Sequence, residues 1–302
     1  TCDLLRVEQL LSQLSYPPDE LNIQLKTVFN NRKWHVNCCK LFMFNIIRTG
    51  LDASNKDLAV ISNNIANAGT NAFKKSQAMF EDMYHTHHSP STEIARGFGV
   101  KSTKPRINFS QGSFLQTNGS LDLAIMGEGF FVLGNPVGRD ANAQALTFTR
   151  DGSFQLDREG NVVNMDGLPL LGEGQTPLNI PFNQGEALLS EIIIEDDGRI
   201  LATYGLDDTK LLAKIQLADF VNEHGLQNLG NSRFEQTKES GEPTFNAPKE
   251  GTLGKLQVGF IETSNTDITD EIVTMLRTQR AFNGCSKILQ SEIDITKKLS
   301  AR

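Results

Sequence analysis

The apolar positions of this chain follow one period at its two ends and another in between. Near the start, Phe44, Ile47, Leu51, Leu58, Ile61 and Ile65 recur at spacings of three, four or seven. Ile268, Ile272, Met275, Phe282, Leu289 and Ile293 repeat that spacing near the far end. Such steps place side chains in one narrow seam along a helix, the face that a helix buries against another helix. The pattern predicts a helix over 43–68 with Gly69 as its stop, and a second over 267–299. Asp267 is the expected N-cap of the second helix, Asp270 and Glu271 lie in its first turn, and Lys297-Lys298 complement its other end. On the opposite face of the first helix stand Asn55, Lys56, Asn63 and Asn67. Asn is a mediocre helix former, so this helix needs a partner. Gly284 costs the second helix about 1 kcal/mol relative to Ala, which packing is expected to offset or a bend to mark.

Between the seams, from about Phe73 to Phe260, short β-type runs alternate with turns. The runs are 130–133, 146–149, 154–156, 161–163 and 192–194, and Asp151-Gly152, Asp166-Gly167 and Asp197-Gly198 lie between them. Asp-Gly supplies the positive φ of tight hairpins, so the region reads as an antiparallel sandwich or irregular barrel. The polar stretches Ser89–Thr103 and Glu239–Gly251 read as loops. The expected class is α+β: long N- and C-terminal helices pairing as a coiled coil and bracketing a mostly antiparallel β domain. The paired helices take 43–72 and 262–302, and the β-rich outer domain takes 73–261.

Composition narrows the reading. A formal charge of −7 over 302 residues argues against a general nucleic-acid binder or a basic membrane-surface protein. No run of 18 apolar residues is present, so no membrane insertion is expected. The opening TCDLLRVEQL has no apolar h-region of a cleaved signal. Residues 1–42 look foreign to the rest: they hold Trp34, the Tyr16-Pro17-Pro18 break and three of the four cysteines, Cys2, Cys38 and Cys39, with Cys285 far away. The first methionine, Met43, directly precedes the first seam. The expectation is that translation starts there and that 1–42 are an upstream extension, the alternative being an accessory arm with a short helix around Leu4–Leu14. The cysteine spacing fits neither a zinc site nor a disulfide framework.

Candidate chemistry is thin. His85, His87 and His88 follow Glu81-Asp82 and could bind zinc, yet they sit beside Ser89-Pro90 with no further ligand at metal-site spacing. Gly127-Glu128-Gly129 leads into a strand and lacks a phosphate-loop pattern. Glu195-Asp196-Asp197 with Asp207-Asp208 does not fit an EF-hand loop. Ser110-Gln111-Gly112-Ser113 is no nucleophile elbow. No catalytic, metal or cofactor residue is assigned, and no enzyme is expected.

At the first helix the sequence becomes specific. Gly50-Leu51-Asp52-Ala53, the run Ile61-Ser62-Asn63-Asn64-Ile65-Ala66-Asn67, and Thr70-Asn71-Ala72-Phe73-Lys74 resemble the N-terminal motif of bacterial flagellar rod and hook proteins. That family's usual Gly-Phe before the lysine is Ala72-Phe73 here. Ser110-Gln111-Gly112, Asp122-Leu123-Ala124-Ile125, Gly129-Phe130-Phe131 and Thr149-Arg150-Asp151-Gly152-Ser153-Phe154 resemble its shared core. Glu262-Thr263-Ser264-Asn265-Thr266-Asp267 and Gln279-Arg280-Ala281-Phe282 resemble its C-terminal helix motif. The resemblance runs from Met43 to the C-terminus. The length is that of a rod subunit, while Asn161–Leu171 and Ile200–Leu229 look hook-like, placing the chain near the distal rod and hook branch.

What the resemblance implies is a structural subunit that stacks helically into the hollow axis carrying motor torque, located in the basal body or hook. Its partners would be further copies of itself, adjacent rod, hook and cap proteins, and the type III export apparatus that exports it without a cleaved signal. A secreted β-rich, adhesin-like fibre is the alternative; it would explain the middle but not the two seams.

Overall fold

The structure is a computed structural model describing residues 32–89, 92–134, 146–184, 187–205 and 208–300. It is α+β, with mostly antiparallel pairing and two α-helices among the described residues. Helix α1 spans Arg32–Ala66 and α2 spans Ile268–Ser300. The first helix therefore runs back past Met43: Arg32–Phe42 holds neither Pro nor Gly, so nothing in it breaks a helix. The short helix expected around Leu4–Leu14 lies outside the described residues. At its other end α1 stops at Ala66. The left-handed residue beyond it is Ala72, φ 52, and Gly69 does not take that role. Asp267 caps α2 as expected, its Oδ1 accepting the Thr269 N–H at 2.8 Å.

The chain divides into two compact units. One comprises Thr1–Ala59, Ala78–Lys104 and Met275–Arg302; the other comprises Val60–Gln77 and Pro105–Thr274. The expected boundary lay at the ends of the helices. Instead the last turn of α1 and the first turns of α2 belong with the sheets, because their polar side chains bond there.

The sheet-bearing unit is built around the strand Phe130–Leu133, buried on both faces. Phe131 and Leu133 enter one core with Leu123, Ile125, Leu170 and Ile200, and Phe130 and Val132 enter another with Phe109, Phe148, Phe220 and Phe234. This explains a continuous apolar run where alternation would mark a one-sided strand. Edge-on ring contacts, such as Phe148–Phe220 at 4.8 Å and Phe131–Phe154 at 5.2 Å, fill both cores. The six-stranded sheet runs in the order 227–230, 233–235, 147–149, 130–133, 217–219, 244–246. A four-stranded sheet holds 183–184, 187–194, 199–204 and 208–214. The stretch expected to be a loop at Glu239–Gly251 thus contributes an edge strand, Thr244–Asn246.

Gly167 and Gly198 have the positive φ expected of Asp-Gly turns, 79 and 82. Gly152 does not; it is there because a Cβ would strike the Leu123 carbonyl, whose residue's N–H bonds the Gly152 oxygen at 3.0 Å.

In the helix-bearing unit a long hairpin pairs Phe80–Ser89 with Thr92–Ser102, from Phe80↔Ser102 to Ser89↔Thr92. This corrects the loop expected at Ser89–Thr103. Gly97 and Gly99 look like loop residues, yet they pair with Tyr84 and Met83 on either side of a register shift. His85, His87 and His88 lie on its first strand, opposite Arg96, Ile94 and Glu93. The hairpin meets α1 at Gly99, φ +114, where an added Cβ would collide with the Thr49 hydroxyl.

Candidate functional site

Where the chain leaves α1 and where it enters α2, three segments converge: 64–76, 108–112 and 262–271. Backbone bonds tie the first to the last, the Ala72 N–H to the Glu262 oxygen at 2.8 Å and the Asn265 N–H to the Phe73 oxygen at 3.2 Å. Buried charge completes the joint. Lys74 Nζ lies 2.6 Å from Glu262 Oε1 and donates to the Ser110 carbonyl at 2.9 Å, with the lysine side chain 1% exposed and the glutamate 0%. Gly112 donates its N–H to the same carboxylate oxygen at 2.8 Å. It approaches so closely that a Cβ would hit the Thr263 carbonyl. On the far side, Arg150 Nη1 is 3.8 Å from Glu262 Oε2, bonds the Gly127 carbonyl at 2.8 Å and stacks its guanidinium 5.1 Å from the Phe130 ring centroid.

Burial holds the Lys74 amine below its ordinary value, against the opposing pull of Glu262. Asp151 is pushed up by burial, though Ser153 donates to it from both backbone and hydroxyl. Asn71 extends this network, its amide donating to the Ser153 hydroxyl at 3.1 Å.

Two asparagines act as substitute peptide groups. Asn64, buried at the end of α1, accepts from the Ser76 N–H at 2.9 Å and donates to the Ser76 carbonyl at 2.8 Å, as a neighbouring strand would. Its amide also donates to Glu271 Oε2 at 3.2 Å, and the other oxygen of Glu271 pairs with Lys75 Nζ at 3.4 Å. Asn265 accepts from the Lys75 N–H at 2.8 Å and donates to the Asn108 and Ser110 carbonyls at 2.9 and 3.0 Å. Most of these bonds satisfy buried or half-buried polar groups, and all of them tie one chain segment to another, so the arrangement holds segments together. Among the described residues, no group of three or more His, Cys, Asp or Glu is placed to hold a metal ion.

Of the motif residues singled out in the sequence, Asn64, Lys74 and Asn265 converge here. Asn63 accepts the Asn67 amide through its carbonyl at 2.9 Å, Ser264 accepts the Thr266 N–H at 3.2 Å, Phe73 contributes its carbonyl, and Ala66, Gln279 and Arg280 are exposed on the helices. Glu262 and Arg150 were named only within family motifs and Glu271 only as a first-turn charge, none of them as a partner in a joint. The signal for the first two was a charge set directly beside an apolar strand, Phe260-Ile261 and Thr147-Phe148-Thr149.

The seam residues divide. Ile47 and Ile61 are buried; Leu51, Leu58, Ile65, Met275, Phe282 and Leu289 are half-buried; Phe44, Ile268, Ile272 and Ile293 are exposed. Contacts between the helices come from smaller and more polar residues than expected. Thr278 Oγ1 donates to Asp57 Oδ2 at 2.7 Å, and Gly50 faces Cys285, whose Sγ would lie 3.7 Å from an added Cβ.

A sequence profile of the flagellar hook protein FlgE/F/G D1 domain matches residues 124–202. One of the flagellar basal body rod FlgEFG protein C-terminal region matches residues 257–302. The flagellar basal-body rod protein FlgG of Buchnera aphidicola subsp. Acyrthosiphon pisum is 37% identical over 267 residues, covering 84% of this chain and 97% of that protein. This chain belongs to the flagellar rod and hook protein family. FlgG of Agrobacterium fabrum is 32% identical over 257 residues, 81% of this chain and 92% of the relative. FlgG of Bacillus subtilis is 32% identical over 262 residues, 83% and 95%. These rod and hook relatives bear out the resemblance, and the adhesin-like alternative finds no support among them. Glu262, Asn265 and Glu271 lie within the matched C-terminal region, and Arg150 lies within the matched D1 domain.

Proposed function

We propose that this chain is a structural subunit of the flagellar axis in the basal body. On this reading copies stack helically into a hollow tube, on the distal rod and hook branch, that transmits torque and passes exported subunits. Its partners are further copies of itself, the adjoining rod, hook and cap proteins, and the type III apparatus that exports it. Within each copy α1 and α2 pair as an antiparallel coiled coil.

The supporting observation is the part of the apolar seam that a single chain leaves uncovered. In a single chain Ile268 is 50% exposed, Ile272 44%, Phe44 42% and Ile293 38%. A fully buried side chain of this kind contributes about 1.5–3 kcal/mol, so neighbouring copies that cover these positions stabilise both the helices and the tube. On this account the distal parts of the helices become fully ordered only on assembly.

The test is a pair of seam variants, Leu58→Asp and Ile272→Asp, examined by negative-stain microscopy of concentrated protein and by motility complementation. Both should abolish tubes and motility while circular dichroism reports an intact β core, because assembly would bury an unpaired charge. Tubes of parental length from both variants would overturn the reading. Hydrogen exchange on dilute monomer sharpens it: low protection is expected in the part of α1 before Val60, and strong protection there would contradict the ordering step.

A further inference from the structure

The apolar seam alone does not select one alignment of the two helices. Leu51, Leu58 and Ile65 stand seven residues apart, and so do Met275, Phe282 and Leu289. Sliding α2 along α1 by seven residues therefore puts Met275, Phe282 and Leu289 in one another's places, so this heptad part of the seam stays apolar after a slip and does not oppose it. The polar contacts behave differently. Gly50 faces Cys285, Thr278 bonds Asp57 and Asn64 bonds Glu271, so the positions step forward by seven on α1 as they step back by seven on α2. All three contacts belong to one antiparallel register.

We propose that the hydrogen bonds Thr278–Asp57 and Asn64–Glu271 are the register key of the terminal helices. The proposal rests on the helix pairing put forward above and names what fixes its alignment. A slip of seven residues in one direction sets Asp57 against Glu271, two carboxylates in a half-buried layer. A slip in the other sets Asp57 against Cys285, whose thiol is a weak donor in place of a hydroxyl. Either way the half-buried Asp57 carboxylate loses its hydroxyl donor, an unfavourable outcome for a charged group in a helix interface. Asn64 adds directionality, because its amide is already oriented by both backbone groups of Ser76. The key favours no other apolar pairing; it disfavours every heptad-shifted one.

The test reads register with a disulfide to the native Cys285 in polymerised full-length protein, with Cys2, Cys38 and Cys39 replaced by Ser. A cysteine introduced as Gly50→Cys reports the native register, since a Cβ there lies 3.7 Å from the Cys285 sulfur. One introduced as Met43→Cys reports a slip of seven. With the key intact, mild oxidation should link only the cysteine at position 50. In Asp57→Leu/Thr278→Leu, which keeps the seam apolar and the helices paired, the product from position 43 should appear. The preference for position 50 should then fall about tenfold, the effect of losing a hydrogen bond to a charged group. Unchanged exclusivity for position 50 in that variant overturns the key while leaving helix pairing intact. No linkage from either position with the key intact overturns both pairing and key.

Discussion

The roots of the two terminal helices and their distal lengths are made of the same α-helix but finished to different degrees. At the roots, Asn64, Lys74, Lys75, Glu262, Asn265 and Glu271 find partners within one chain, and the innermost charges lie at 0–2% side-chain exposure. Along the distal lengths, Phe44, Leu276, Ile288 and Ile295 stay exposed, and the bond from the hairpin's Val100 N–H to Thr49 Oγ1 of α1 is long, 3.4 Å. One end is tied together within a single chain. The other leaves apolar surface that further copies would cover on the assembly proposed above. A polymerising subunit needs both, since exported chains must fold part of themselves before they meet their neighbours.

The sharpest way to break this contrast is Lys74→Met. It leaves the Glu262 charge buried with only the Gly112 N–H and a guanidinium 3.8 Å away, and urea unfolding should show a loss of about 3–5 kcal/mol. The pH dependence carries its own signature. Because burial depresses the Lys74 amine below 10.5, the folded chain sheds that proton before the unfolded chain does. The lysine's contribution to stability therefore rises as pH climbs from its folded value towards 10.5, and Lys74→Met should lack that alkaline rise. A parallel pH profile for parent and variant would count against the buried charge.

Asn64→Ala comes next. It strips Ser76 of two backbone partners and Glu271 of a donor, so a loss of about 1–3 kcal/mol is expected in the same assay. Gly99→Ala moves the comparison to the other unit. Left-handed strain and the collision with Thr49 should loosen the hairpin by about 1–3 kcal/mol, visible as faster hydrogen exchange over 80–102 with no change in the β core. Glu195→Ala should do least. Its ion pair with Arg199 at 3.0 Å is solvent-exposed and Asp197 remains 3.2 Å away, so the change should stay within about 1 kcal/mol.

The helices were legible in the sequence because three-four spacing survives over many turns, and the Asp267 cap because its chemistry is local. The hairpin over Phe80–Ser102 was not legible, since Ser89-Pro90 and two glycines mimic a loop and its polar residues show no clean alternation. The joint was half legible. Asn64, Lys74 and Asn265 stood out through the family resemblance, yet Glu262, the partner of Lys74, lies 188 residues from it, and no window along the chain displays such a pairing. The same blindness affected the helix contact. Large apolar residues drew attention to the seam, while Gly50, Asp57 and Thr278 make the close approaches.

One further consequence follows from the bonds between Ala72, Phe73, Glu262 and Asn265. They close the intervening chain into a loop at its neck, so the segment that enters α2 is held to the one that leaves α1 by backbone bonds as well as by side chains. On the assembly proposed above, tension drawn along α2 would meet these bonds and Asn64–Glu271 before it reached the aromatic cores, so load in a shaft of such subunits would run along the helices in preference to the sheets.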